Sequence, residues 1–192
     1  MSWMEQAVSP VAPSLRAGNA AMYTSGERQR DIFDSHRHHV YSVAYYMTGN
    51  ELEAEKILEA SFVRAFQATA EKSNTKPADA KPGIDQIDRA LLAELMRRFS
   101  FAPPPDAENA CSEANTFSAG PLGNVRRMDL EEVIWGLPDA ERLLFLLRDV
   151  EGYTPERIAE LLGWPMKTVR TTLLMARLHL RQQLSLRSVA KA

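Results

Sequence analysis

The side chains best equipped for chemistry lie near the C-terminus: Lys167, Arg170, Arg177 and Arg181, with Thr168 and Thr171 among them and no acidic residue after Glu160. Guanidinium and ammonium groups neutralise phosphates, and hydroxyls beside them reach base edges. Chemistry of that kind needs a rod to hold it. Thr154 can cap a helix whose first position is Pro155, where a missing N–H costs nothing. Ile158, Ala159, Leu161 and Leu162 recur at helical spacing, and Gly163 supplies a left-handed stop. Trp164-Pro165 turns the chain, and a second helix is expected from about Thr168 to beyond Arg181. Helix, Gly-containing turn and helix is an arrangement that can lay its second member in a DNA major groove. Lys167, Thr168, Arg170 and Thr171 would then face base edges or phosphates, with Arg177 and Arg181 further along the backbone. An αα-hairpin in a helical bundle that never meets DNA is the alternative.

Other chemistry is sparse. His36 and His39 are three apart and could share a helix face beside His38, but two ligands are too few for a closed metal site. No Gly-rich phosphate loop, HExxH, GxSxG or Cys/His pair occurs, so neither an enzyme nor a bound cofactor or metal is expected. The single cysteine, Cys111, excludes an internal disulfide framework and fits a reducing cytoplasm. No apolar run approaches the ~18 residues that span a membrane, so no membrane insertion is expected. The chain is 192 residues long with a formal net charge of −2, so any attraction to nucleic acid rests on the distribution of charge rather than its sum. Acidic residues gather early, at Glu51, Glu53, Glu55 and Glu59, and basic ones late. One part could face DNA and another a basic protein surface.

The periodicity is helical throughout. Residues 1–26 carry little apolar pattern and read as a mobile arm. A helix over Arg28–Thr48 turns Ile32, Phe33, Val40, Val43, Ala44 and Met47 inward and stops at Gly49-Asn50. A second, Glu51 to about Thr69, turns in Leu52, Ile57, Leu58, Phe62, Ala65 and Phe66, and residues 71–83 read as a loop. A third, Ile84 to Phe99, buries Ile87, Leu91, Leu92, Leu95 and Met96. Residues 101–127, with three consecutive prolines, form a flexible linker between domains at 27–100 and 128–192. Beyond it come helices at Asp129–Trp135, Asp139–Val150, Pro155–Leu162 and Thr168–Leu184. The expected fold is all-α, in two small domains.

The succession Leu137-Pro138, Glu141-Arg142, Leu143 to Leu147, Val150-Glu151-Gly152-Tyr153-Thr154, Ile158 to Gly163, then Pro165 and Thr168-Val169 resembles region 4 of bacterial sigma factors of the extracytoplasmic-function type. The stretch with Val40-Tyr41, Gly49, Glu53-Ala54-Glu55, Phe62 and Arg64-Ala65-Phe66 is similar to their region 2. The resemblance implies a sigma factor that binds core RNA polymerase and directs it to promoter DNA, with region 4 reading the −35 element. Carried over residue by residue, Glu53, Glu55, Glu59 and Arg64 would dock on the β′ clamp helices, and an anti-sigma factor is a further implied partner. Two departures stand out. Thr172 and Met175 occupy positions where the family carries basic residues, and between Gln67 and Phe99 there is no Tyr or Trp to stack a melted −10 strand. Lys72, Lys76, Lys81, Arg89, Arg97 and Arg98 are the basic groups left for that strand. Two further readings follow: a sigma-like regulator that binds polymerase or an anti-sigma factor without melting promoters, and an adaptor that binds only proteins.

Overall fold

The computed structural model describes residues 25–73, 84–102 and 126–190. The arm, Lys76, Lys81, Cys111, most of the 71–83 loop and most of the 101–127 linker lie outside the described residues, as does the side chain of Lys72. Seven helices, and no strand, occur among the described residues: α1 Ser25–Thr48, α2 Glu51–Ser73, α3 Ile84–Met96, α4 Arg127–Trp135, α5 from Asp139 to Val150, α6 Pro155–Leu162 and α7 Met166–Ala190. The all-α reading holds, with ends displaced by a few residues.

In the N-terminal half, α1 packs on α2 and α2 on α3. Val40, Val43, Ala44 and Met47 of α1 are buried against Ala54, Ile57, Phe62 and Ala65 of α2. Gly49 ends α1 at φ +66°, where a Cβ would be strained, and the Trp135 ring lies 3.8 Å from where one would project. Two expected core positions face outward instead. Leu52 is 61% exposed, because the buried stripe runs through Ala54, Ile57, Ser61 and Ala65, and Leu52 lies about 200° from Ala54 on the wheel. Met96 is 46% exposed, since α3 ends there and the turns before it bury Leu91, Leu92 and Leu95. Conversely, α3 buries two acids, Asp88 and Glu94, which an apolar pattern would have left outside.

In the C-terminal half, α5 and α7 pack lengthwise with α4 and α6 against them. Glu141 of α5 is buried and meets His179 Nδ1 of α7 at 2.6 Å, and Glu132 of α4 pairs with Arg187 of α7. The last turn of α5 widens into a π turn, Leu146–Val150, where a plain α-helix was expected. The Glu151 amide consequently donates to Leu146 O at 2.9 Å and the Tyr153 amide to Leu147 O at 2.9 Å. Such turns commonly sit at functional positions, and this one feeds the two residues that reach across to the other half.

The spacing of the two halves was open in the sequence; here they pack together. One contiguous apolar cluster runs from Val40 to Leu184, with α1 against α4 and α5, and α3 against α6.

Candidate nucleic-acid interface and the contact between halves

Helices α6 and α7 form the expected helix-turn-helix. Thr154 Oγ1 accepts from the Arg157 amide at 3.2 Å, capping α6, and Gly163 closes it at φ +66°. Helix α7 then buries Val169, Thr172, Leu173, Ala176, Leu180 and Leu184. Lys167, Arg170, Leu174, Arg177 and Arg181 are exposed, at steps of three and four residues, so they share the opposite face over ~21 Å. Thr168 and Thr171 are half-buried beside them. Thr172 is fully buried and its hydroxyl donates to Thr168 O at 2.9 Å. Its missing charge therefore takes nothing from the exposed face. Arg177 is held by both oxygens of Asp149, at 2.6 and 3.0 Å, and these hydrogen bonds keep its pKa above the ordinary arginine value. Arg170 lies a looser 3.8 Å from Glu156, with both partners exposed, so it is readily exchanged for a phosphate.

On α2, Glu55 and Glu59 are exposed and one turn apart. Leu52 and Val63, the latter 46% exposed, lie on the same side, giving the acidic pair the apolar flank that a docking surface needs. Glu53 is half-buried between Lys56 and Arg98; Lys56 Nζ donates to it at 2.7 Å, and the two cations hold its carboxyl below the usual range. Arg64 and Arg97 share the buried Glu94 carboxylate at 2.8 and 2.9 Å, and Arg89 reaches Glu160 of α6 at 3.5 Å. Thus Arg89, Arg97 and Arg98, the described basic groups considered for a −10 strand, are each engaged with a carboxylate.

Sequence reasoning missed the residues that join the halves. Arg142 is half-buried, and its guanidinium donates to Met47 O at 2.9 Å, Trp135 O at 2.7 Å and Leu137 O at 2.8 Å. It ties the C-terminal ends of α1 and α4, where carbonyls lack helical partners and the dipole favours a cation. Burial lowers its pKa, partly offset by Asp139. A second junction centres on His39. Its Nδ1 is 2.7 Å from Glu151, its Nε2 is 3.5 Å from Asp88 and 3.1 Å from the Tyr153 hydroxyl, and the Tyr153 ring stacks on it. Tyr153 donates to Asp88 Oδ1 at 2.8 Å. Asp88 Oδ2 has no hydrogen bond; Arg157 stands 3.8 Å away, itself paired with Asp85 and, at 3.1 Å, Glu160. Burial alone would lower the His39 pKa, but the two carboxylates outweigh it and raise it to about 9. His36 and His38 stay outside this cluster, and no three-residue metal-ligating group occurs among the described residues.

Residues 127–180, from α4 into α7, match the family model described as Sigma-70, region 4. Along the whole chain, similarity extends to the ECF RNA polymerase sigma factor SigE of Mycolicibacterium smegmatis, 26% identical over 95% of this chain and 71% of that one. It extends also to SigW of Bacillus subtilis, 29% identical over 80% and 87% respectively. The chain is thus similar over most of its length to extracytoplasmic-function sigma factors, and its C-terminal half carries the sigma-70 region 4 match. The fold agrees: a Bartonella quintana sigma factor RpoE, solved in complex with the anti-sigma factor NepR, superposes with a TM-score of 0.54 at 15% identity, over 81% of this chain and 95% of that one. The helix-turn-helix lies in the second half of the region 4 match, and Arg142 and Tyr153 fall within the matched span. Among the described residues, no helix is long and apolar enough to cross a membrane.

Proposed function

We propose that this sigma factor brings core RNA polymerase to specific promoters, with residues 27–100 gripping the core and residues 128–192 reading duplex DNA at the −35 element. The observation that carries this reading is the exposed face of α7, where Lys167, Arg170 and Arg177, inside the region 4 match, and Arg181 just beyond it stand opposite a buried apolar stripe. Lys167, Thr168, Arg170 and Thr171 enter the groove, and Arg177 and Arg181 follow the phosphates. Glu55 and Glu59, flanked by Leu52 and Val63, meet the β′ clamp helices, with Glu53 and Arg64 at the rim. The work belongs in the cytoplasm, where polymerase and promoters are. An anti-sigma factor is a fitting regulator.

The test is reconstituted transcription on genomic fragments with core polymerase added; promoter-specific initiation is expected, and its complete absence would sink the reading. On an isolated −35 duplex, Arg170→Ala should weaken binding by ~1–3 kcal/mol, or lower the log–log salt slope by about 1 if Arg170 meets a phosphate. An affinity unchanged by the substitution would remove α7 from the interface.

A second reading, recruitment without promoter melting, is favoured by one observation: Arg97 and Arg98 are engaged by the Glu94 and Glu53 carboxylates of their own half. Permanganate reactivity of −10 thymines separates the two, since only a melted strand reacts.

A further inference from the structure

The packed halves cannot serve the proposed function as they stand. Elements centred near −10 and −35 are about 25 base pairs apart, or ~85 Å along duplex DNA at 3.4 Å per base pair. A compact chain of 192 residues has a radius of gyration of ~16 Å and so spans only about 40–45 Å. Region 4 must leave region 2 before both elements are read. The covalent chain permits it, because the stretch from Ala102 to Arg126 reaches ~80 Å when extended.

What holds the halves together is specific. The junction is not only apolar contact, which any two helical faces could make. It includes a chain of buried or half-buried charged groups drawn from α1, α3, the segment after α5, and α6. We propose that His39, Asp88, Glu151, Tyr153 and Arg157 form a latch that holds this sigma factor in a closed, transcriptionally silent arrangement until a partner opens it. The inference rests on the sigma-factor reading for its consequence, but the latch itself can be read without polymerase.

Three features support the assignment. Asp88 is 3% exposed and receives its hydrogen bond from Tyr153 of the other half, so separation strips a buried carboxylate of its donor. The π turn and the segment after it place Glu151 and Tyr153 on opposite sides of the His39 ring, one on each nitrogen. Arg157 pairs with Asp85 across the junction, and Arg89 reaches back to Glu160, so the rim is a reciprocal charge pair around the buried centre. The DNA-reading end of α7 is not occluded: Lys167 and Arg170 stay exposed in the closed form. The latch therefore governs promoter spanning, not binding of the −35 duplex alone, and the acidic face of α2 is likewise open in the closed form.

The experiment uses the full chain with Cys111→Ser and dyes on Gln67→Cys and Gln183→Cys, both exposed positions, one in each half. Intramolecular energy transfer reports opening, and transcription at limiting sigma factor reports its consequence. Tyr153→Phe keeps the ring stack and removes one hydroxyl; Arg157→Asp sets like charges against Asp85 and Asp88. Each should lower the transfer efficiency. Arg157→Asp should raise promoter-specific transcription at limiting sigma factor about tenfold, the effect of losing one charge-assisted hydrogen bond that had held most molecules closed. The swap Arg157→Asp with Asp85→Arg should return both readouts part of the way to the parent values, since the introduced carboxylate still faces Asp88, and damaged packing would give no such recovery. Binding to an isolated −35 duplex should not change in any variant. The latch is refuted if energy transfer is the same in parent and variants of equal helicity, or if the variants open and transcription does not rise. Failure of every protein, parent included, to bind core would instead refute the sigma-factor reading, while energy transfer still decides the latch.

Discussion

Arg142→Met should lower the melting temperature by about 10–15 °C in a thermal circular-dichroism scan, the largest single loss expected outside the apolar core. The guanidinium serves three carbonyls at two helix ends, Met47 on one side and Trp135 and Leu137 on the other. Methionine fills much the same volume but donates nothing, so the cost comes from stranded buried acceptors rather than from a cavity. At ~1–3 kcal/mol for each acceptor left without a donor, with some recovery by relaxation, the expected loss is about 3–5 kcal/mol. That is a large share of the ~5–15 kcal/mol that stabilises an ordinary fold. Arg142→Lys, with one head group in place of a fork, should keep roughly half of the stabilisation. A loss under ~1 kcal/mol for the methionine variant would show that these carbonyls find other donors, and that Arg142 does not join the halves.

Much of the architecture was legible because it is local. A cap at Thr154, a proline at the first helical position and a glycine with φ +66° fix α6 to the residue, and each acts within four positions of the chain. The apolar faces of α1 and α7 follow from periodicity alone. Where periodicity failed, charge pairing had overridden it. Asp88 and Glu94 are buried because cations or hydroxyls from elsewhere meet them, while Leu52 and Met96 are exposed at helix ends where the buried stripe has turned away. The face of α7 was legible in composition, but Thr172 was misjudged. Read as a missing cation, it is an inward residue bonded to its own helix.

The junction was not legible at all, and distance explains why. His39 meets residues 112 and 114 positions away, and Tyr153 meets Asp88 across 65. A histidine three residues from another suggests a metal; only the fold shows that it lies between two carboxylates. Arg142 carried a family resemblance but no sign of what it binds, because its acceptors are backbone carbonyls that exist as unpaired groups only once α1 and α4 have ended. The same holds for Arg89, Arg97 and Arg98. Their charge was visible in the sequence, whereas their engagement by Glu160, Glu94 and Glu53 depends on how helices meet.

The second large effect is the pH dependence of stability. His39 is raised to about 9 in the folded chain against 6.5 when free, so the folded state holds its proton more tightly than the unfolded one. The contribution of its pairing is then fully present below pH ~6.5 and is lost as pH rises through about 9. The groups facing the ring set that sign: Asp88 from α3 and Glu151 from the segment after α5 favour the cation, Tyr153 accepts from it or donates past it to Asp88, and Arg157 of α6 stands behind Asp88. Burial pushes the Tyr153 phenol up, with Asp88 adding to the shift, so the phenol stays neutral through the same window and does not confuse the titration. At 1.36 kcal/mol per unit, the difference amounts to at most ~3.4 kcal/mol, discounted for the side chain's partial exposure to about 2–3 kcal/mol. Denaturant midpoints should therefore fall between pH 6.5 and 9.5 in the parent chain, and His39→Gln should flatten that fall while starting from a lower value. An identical slope in parent and variant would mean that the imidazole is neutral in the fold, and that the carboxylates around it are held by Arg157 and Tyr153 alone.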